Sequence, residues 1–248
     1  SWDAALGRWT LLAGTQGTTE AHGELTRDAL GVPQQSLRIV TPDVGGGFGM
    51  KNHAYPEHVA LLHAAQTLGT QIRWQAERTE AFTADCAGRD HAITVELALD
   101  AEARITATRW TWTADLGAYC VGFGPAINTI GGPRIVVGPY TIPLFHVRSE
   151  GYLTTTAPID AYRGAGKPEA AYALEVAVAA AAAAIGMDPA ELRRRNLVPA
   201  SAMPYRSATG QTYDSGDFAT VMDRALTLAD RAGFAARRRD AEARGMLR

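Results

Sequence analysis

The chain has 248 residues, 46% hydrophobic and 20% charged, with a formal net charge of -2, the balance of a globular protein long enough to bury a sizeable core. That charge gives no electrostatic reason to expect nucleic acid or an anionic membrane, and no apolar run reaches the ~18 residues of a spanning helix. Two cysteines, Cys86 and Cys120, exclude a disulfide framework, a four-cysteine zinc site and a self-contained iron–sulfur cluster, and a reduced, cytoplasmic setting is the default expectation.

Arg8–Ala13 reads as a strand followed by Gly14-Thr15-Gln16-Gly17. A helix is predicted over Thr19–Leu30, capped by Thr18 or Thr19 and ended by Gly31 and Pro33. Leu37–Thr41 is a second predicted strand, Gly45-Gly46-Gly47-Phe48-Gly49 a loop, Tyr55–Thr67 a helix stopped by Gly69, and Ile72–Gln75 a third short strand. This βαβαβ order favours a mixed or parallel sheet with covering helices. The run from His91 to Tyr119 alternates apolar and polar residues on either side of a turn near Asp100–Ala103, the pattern of an antiparallel hairpin, with Trp110 and Trp112 sharing one face as core residues.

A glycine- and proline-rich stretch, Gly122–Pro143, leads to a strand over Phe145–Tyr152 and the loop "TTTAPIDAYRGAGKPEA". Helices are predicted over Ala170–Ile185, from Asp188-Pro189 onward, and over Phe218–Ala232 with Asp217 or Ser215 as cap. The end, "AARRRDAEARGMLR", reads as an arginine-rich helix in an excerpt from a longer chain. With no internal repeat or low-complexity linker, the economical expectation is one α+β unit.

Four glycines in five positions ask for a close approach to the backbone, because each costs chain entropy. A loop between strand and helix presents free N–H groups that favour an anion. The nucleotide motifs fail, however: Met50 separates Gly49 from Lys51, and it also stands where G-x-G-x-x-G needs its last glycine. A plain glycine-rich turn and a phosphate cradle both stay open on these residues alone. His53, His58 and His63 are five apart, so each is rotated ~140° from the last on a helix, unlike an i, i+4 ligand pair. Glu57 and Glu169 read as helix-start dipole partners. Cys120 reads as a packed thiol. The Arg193-Arg194-Arg195 run reads as a solvated helix face, with docking of a partner subunit as the alternative.

Three segments set these features in order: Thr15-Gln16-Gly17, Gly45–Gly49 with Lys51, and Ala161-Tyr162-Arg163-Gly164-Ala165-Gly166 followed by Pro168-Glu169-Ala170. With Leu192–Asn196 downstream, they resemble the molybdenum hydroxylases, the xanthine dehydrogenase/aldehyde oxidase family, and within it the molybdopterin-binding large subunits of the carbon-monoxide-dehydrogenase-like branch. The resemblance covers nearly the whole chain. It implies a molybdenum-cofactor-binding domain of α+β class, with a mixed sheet, an antiparallel hairpin and covering helices, of which residues 1–248 are the first half.

The cofactor-binding residues it implies are Gln16, Gly46, Gly47, Phe48, Gly49, Arg163, Gly164 and Ala165. None ligates the metal directly; Gln16 donates its amide hydrogen to the apical oxo group. The implied cofactor is molybdopterin or its cytosine dinucleotide carrying molybdenum. Iron–sulfur clusters and FAD are expected on partner domains or subunits, and the remaining cofactor loops on the C-terminal half of the same domain. The implied reaction is hydroxylation of an electron-poor carbon with water as oxygen source, and the general-base glutamate is expected C-terminal to this chain.

Departures from the pattern bound the substrate. Asn52 stands where purine-oxidising members carry glutamate, and Ala165 where they carry a bulky aromatic. Gly164 stands where carbon monoxide dehydrogenases carry a copper-binding cysteine. An aldehyde or an N-heteroaromatic remains. The rival expectations are a non-catalytic scaffold that keeps the fold, and an anion- or nucleotide-binding domain using Gly45–Gly49.

Overall fold

The structure, a computed structural model, describes residues 1–246; the last two residues of the arginine-rich C-terminal segment lie outside them. The chain forms two compact units, one of Ser1–Ile93, Trp112–Pro133 and Ser149–Glu169, the other of Thr94–Thr111, Arg134–Arg148 and Ala170–Arg248.

In the first unit, strands β1 (Trp2–Asp3), β2 (Arg8–Leu12) and β3 (Leu37–Val40) form a sheet in that order. β1 and β2 are antiparallel, whereas β2 and β3 run parallel with Trp9 opposite Leu37 and Leu12 opposite Val40. The parallel pair is made possible by the helix between them, which returns the chain to the same end of the sheet. That helix, α1 (Thr19–Gly23), widens into a π-helical segment over Glu24–Ala29 rather than continuing regularly to Leu30. Thr26 Oγ1 donates to the His22 carbonyl at 2.7 Å, a side-chain bond that competes with the regular ladder, and neither threonine at its start makes a side-chain cap bond.

Helix α2 (Pro56–Leu68) follows, with Gly69 in the left-handed C-terminal position at φ 58°. Trp9, Leu11, Leu25, Leu37 and Leu62 make the buried cluster between this sheet and these helices. Burial of each such side chain is worth about 1.5–3 kcal/mol, and the Trp9 indole donates to the Leu62 carbonyl at 2.9 Å, which satisfies its one polar atom. Ile72–Gln75 is not a strand: among the described residues it joins no sheet, and Trp74 is 44% exposed. The third strand of the sheet is β1, ahead of β2 in sequence. A short helix, α3 (Arg78–Ala84), comes next.

The predicted hairpin is present as β4 (His91–Leu99) and β5 (Ile105–Gly117), with β6 (Leu144–Leu153) as β5's other neighbour; each strand passes from one unit into the other. Its turn is held by the Asp100 carboxylate, which accepts from the Arg104 and Glu102 amides at 2.7 and 3.1 Å. Trp110 and Trp112 are fully buried as expected. A short helical turn, α4 (Gly124–Ala126), follows β5 and continues as a π-helical turn over Ile127–Gly131.

The second unit holds most of α5 (Lys167–Ala184), together with α6 (Pro189–Asn196), the short strands β7 (Tyr205–Arg206) and β8 (Thr212–Tyr213), α7 (Phe218–Leu228) and α8 (Phe234–Ala243). Asp188 caps α6 by accepting from the Ala190 and Glu191 amides, and Asp217 caps α7 by accepting from the Thr220 amide. The arginine run on α6 is fully engaged rather than merely solvated. Arg193 bonds Glu175 on α5 at 2.7 Å, Arg194 pairs with Asp223 on α7, and Arg195 bonds Glu191 at 2.8 Å and the Glu102 carbonyl at 3.2 Å. Asn196, buried, accepts from the Ile105 amide at 2.7 Å and donates to the Ala103 and Leu192 carbonyls at 3.0 and 2.8 Å. Among the described residues no single helix is long and apolar enough to cross a membrane.

Candidate functional site

All eight cofactor-binding candidates lie in the first unit. Gln16 sits on the turn between β2 and α1, next to buried Thr15, whose hydroxyl is paired with that of Thr41 at 2.6 Å. The Gln16 amide N–H donates to the Lys51 carbonyl at 2.9 Å, which anchors this turn to the far side of the glycine loop. The Gln16 side-chain carbonyl oxygen in turn accepts from the Gly49 N–H. A backbone N–H can only donate, so the oxygen end of the Gln16 amide faces the loop and its NH2 is the end available to donate elsewhere.

This contact explains the glycines more directly than an outside ligand does. A Cβ at Gly47 would stand 2.4 Å from the Gln16 Cβ, and one at Gly49 would stand 2.8 Å from the Ala161 carbonyl oxygen. Gly49 also has φ +98°, a conformation that side chains resist. The space freed at Gly47 is therefore taken by Gln16, that at Gly46 by the Phe48 ring, and that at Gly49 by the backbone of the arginine loop. The loop brings Gln16, Phe48 and the Ala161–Arg163 backbone to one face, on which Gln16 and Arg163 are exposed and Phe48 is 47% exposed.

The loop does not stand at a helix start. Met50–Asn52 form a single 3-10 turn, and α2 begins only at Pro56. The amides of Gly49, Lys51 and Asn52 are spent on Gln16 and on the Gly47 and Gly49 carbonyls, so three of the donors a phosphate cradle would use are already committed.

The second loop turns sharply before α5: Gly164, Ala165 and Gly166 all take positive φ, at 97°, 41° and 87°. Ala165 N–H donates to the Tyr162 carbonyl at 2.8 Å and Lys167 N–H to that of Gly164 at 3.1 Å. Arg89, which the sequence did not single out, reaches the Arg163 carbonyl with a guanidinium N–H. The only signal for it in the sequence was its place after Gly88, in a stretch with no motif.

Glu169 is brought to this loop, with its side chain 8% exposed and 3.4 Å from Arg89. Glu57 is not: it lies with Tyr55, Trp74 and Glu80 around a separate small cavity. His53 stands between two carboxylates, 2.6 Å from Glu24 and 4.0 Å from Asp160. Glu24 also accepts from the Ala54 amide at 2.7 Å, and Asp160 from the Phe123 amide at 2.8 Å. His53 thus ties the chain after the glycine loop to Glu24, while its Nε2, 4.0 Å from Asp160, makes no hydrogen bond among the described residues. Tyr55 donates to Asp85 at 2.8 Å, and burial together with that carboxylate raises its hydroxyl pKa. Burial pushes the Cys86 thiol up to about 11, which leaves it a thiol at neutral pH. Cys120 is exposed rather than packed.

Residues 1–197 match the family described as the molybdopterin cofactor-binding domain. The chain belongs to that family. It is 36% identical over 216 residues to the carbon monoxide dehydrogenase large chain of Hydrogenophaga pseudoflava, covering 85% of this chain and 27% of that one. It is 33% identical over 221 residues to the 6-hydroxypseudooxynicotine dehydrogenase complex subunit gamma of Paenarthrobacter nicotinovorans, with 86% and 28% covered. Quinoline 2-oxidoreductase from Pseudomonas putida 86 superposes with a TM-score of 0.92 at 28% identity, covering 98% of this chain and 31% of that structure. The chain therefore spans a little over a quarter of the length of these curated relatives. The resemblance to molybdenum hydroxylases and the α+β class of a molybdopterin-binding domain both stand on these matches.

Proposed function

We propose that this chain is the first half of the molybdenum-cofactor-binding domain of an oxidoreductase. It hydroxylates an N-heteroaromatic or aldehyde carbon with oxygen from water and passes the electrons to an iron–sulfur partner. One observation carries this reading: the Gln16 amide oxygen is committed to Gly49, which aims a neutral amide NH2 outward from a face that three separate segments build. Such a donor suits the electron-rich oxo group of a molybdenum–pterin cofactor, because it stabilises an oxygen ligand without protonating it.

When bound, that group supplies a Lewis-acidic redox centre able to accept two electrons and release them singly. Gln16 holds its oxo side. Phe48 stands beside Gln16 as an apolar wall that excludes water, and the permanently charged Arg163 offsets negative charge. The space that Gly164 frees is taken by the Pro168 ring, 2.5 Å from where a Cβ would stand, and the small Ala165 side chain puts no bulky group on the substrate side. The general base, the remaining cofactor loops and the contacts to iron–sulfur and FAD partners belong to the rest of the protein. Molybdopterin cytosine dinucleotide is the cofactor form to test first. Gly164 offers no thiol for a copper ion, which directs the substrate away from carbon monoxide. Relatives named for 6-hydroxypseudooxynicotine and quinoline support the heteroaromatic choice.

The test is molybdenum and pterin analysis of the full-length protein, matured with its partner subunits, and dye-linked oxidation of benzaldehyde and quinoline. Stoichiometric metal and pterin with turnover of one probe is the expected result. A metal-free, pterin-free protein from a competent host contradicts it and favours the scaffold reading.

A further inference from the structure

The segment Ala87–Arg89 lies alongside the second site loop. The Ala87 amide donates to the Pro158 carbonyl at 2.9 Å, and the Asp160 amide donates back to the Ala87 carbonyl at 3.1 Å. A Cβ at Gly88 would stand 2.9 Å from the Tyr162 Cβ, so the two strands of chain touch there. Arg89 follows in the left-handed region at φ 62°, a conformation that a branched or long side chain adopts at a cost of order 1 kcal/mol.

From that position its guanidinium makes three different contacts. One N–H donates to the Arg163 carbonyl, the plane lies 4.5 Å from the centroid of the Tyr162 ring, and Nε is 3.4 Å from Glu169 Oε1 at the start of α5. A guanidinium serves all three at once: its carbon lies over the Tyr162 ring, one N–H donates to the Arg163 carbonyl, and its charge is paired with Glu169. A charged donor to a carbonyl is roughly twice as strong as a neutral one, and Glu169 is nearly buried, so it has little water to fall back on.

The geometry points to Arg89 as a positioning residue that fixes the Arg163 peptide of the cofactor face. Arg89 holds the Arg163 carbonyl, in the 163–164 peptide, while the Arg163 nitrogen, in the preceding peptide, lies against Gly49, where a Cβ would stand 3.5 Å from it. The Arg163 backbone is thereby held between the glycine loop that bonds the Gln16 side chain and the guanidinium, and the left-handed residues after it start from a fixed point. Arg89 acts through the Arg163 carbonyl, Tyr162 and Glu169. This deepens the proposed function and rests on it for the consequence to substrate, but the clamp is a property of the chain.

The experiment compares wild type, Arg89→Lys and Glu169→Gln in the full-length protein with its partner subunits. Arg89→Lys keeps the charge but loses the planar guanidinium that lies over the Tyr162 ring and its fixed donor to the Arg163 carbonyl. Hydrogen exchange of the 161–167 amides is expected to rise about tenfold in Arg89→Lys while the rest of the first unit is unchanged. Glu169→Gln should move the same amides less. For whichever of benzaldehyde and quinoline the wild type oxidises, KM should rise about fivefold with kcat within about twofold, because a shifted loop alters the seat of the substrate.

Unchanged exchange at 161–167 overturns the proposal. So does a local rise with no change in KM, or a rise spread over the whole unit with a lower melting temperature, which marks Arg89 as an ordinary fold contact. A wild type lacking molybdenum sinks the proposed function instead, and the exchange comparison then decides the clamp by itself.

Discussion

At the scale of residues, Gly47 and Gln16 are a matched pair. Adding one carbon at Gly47 puts it within 2.4 Å of the Gln16 Cβ, the inflexible root of the side chain, so Gln16 must leave its place. Such overpacking costs about 1–3 kcal/mol. Gly47→Ala should therefore lower the molybdenum content of the purified full-length protein severalfold. Gly45→Ala, whose Cβ meets nothing within 4 Å, should leave the melting temperature unchanged. Metal analysis beside a thermal melt separates the two.

The Gln16 amide can also be split by function. Gln16→Glu still accepts from the Gly49 N–H but has no hydrogen to donate. Turnover should fall by at least about tenfold, equivalent to ~1.4 kcal/mol of transition-state stabilisation, with the melting temperature retained. Equal loss of both would show that the residue only holds the loop.

Elements carry two further predictions. Asn196 ends α6 and closes the hairpin turn through two of the three hydrogen bonds its buried side chain makes, the third going to Leu192 on its own helix. Asn196→Ala strands the Ile105 amide and removes the side-chain donor to the Ala103 carbonyl, and each buried orphan costs about 1–3 kcal/mol. Hydrogen exchange at the Ile105 amide should speed up by more than about tenfold. At the start of α2, the Tyr55 amide donates to the His58 ring nitrogen at 3.2 Å, a bond that needs that nitrogen unprotonated. Burial lowers the His58 pKa below 6.5, with Glu57 opposing. Burial also lowers that of His91, against Glu169 and Asp90.

A histidine whose folded pKa is depressed binds its proton more readily when unfolded. Its contribution to stability is complete above about pH 6.5 and is lost as pH falls from there toward the folded value. Thermal melts from pH 7.5 to 5 should show this decline, and His58→Asn, which can still accept from Tyr55, should flatten it. A slope identical to wild type would remove His58 from the account.

Element by element, the legible parts of the fold were those with a local cause. The alternating hairpin, the Asp188 and Asp217 caps and the glycine stop of α2 follow from residues within a turn of where they act. Ile72–Gln75 has the β-branched and aromatic content of a strand but finds no partner, and pairing is a long-range property that its own residues do not encode. Arg89 and Asn196 act on backbone atoms 74 and 91 positions away respectively, so nothing near them in sequence announces their partners. The glycine loop stands where the sequence puts it, and much of the space it frees is filled by the chain's own Gln16, Phe48 and Ala161, long-range neighbours that the loop's residues do not announce.

For the whole molecule, two compact units divide the work. The first holds every cofactor candidate, and the second secures α6, the hairpin tip and the arginine run by hydrogen bonds and ion pairs. The central claim is that the Gln16 amide, turned by Gly49, presents its NH2 to the oxo ligand of a molybdenum–pterin group. A crystal structure of the full-length, cofactor-loaded protein tests it most directly. The account predicts the Gln16 nitrogen within hydrogen-bond distance of that oxo ligand while its oxygen still accepts from Gly49. Cofactor density elsewhere, or this face covered by the protein's own side chains, would contradict it.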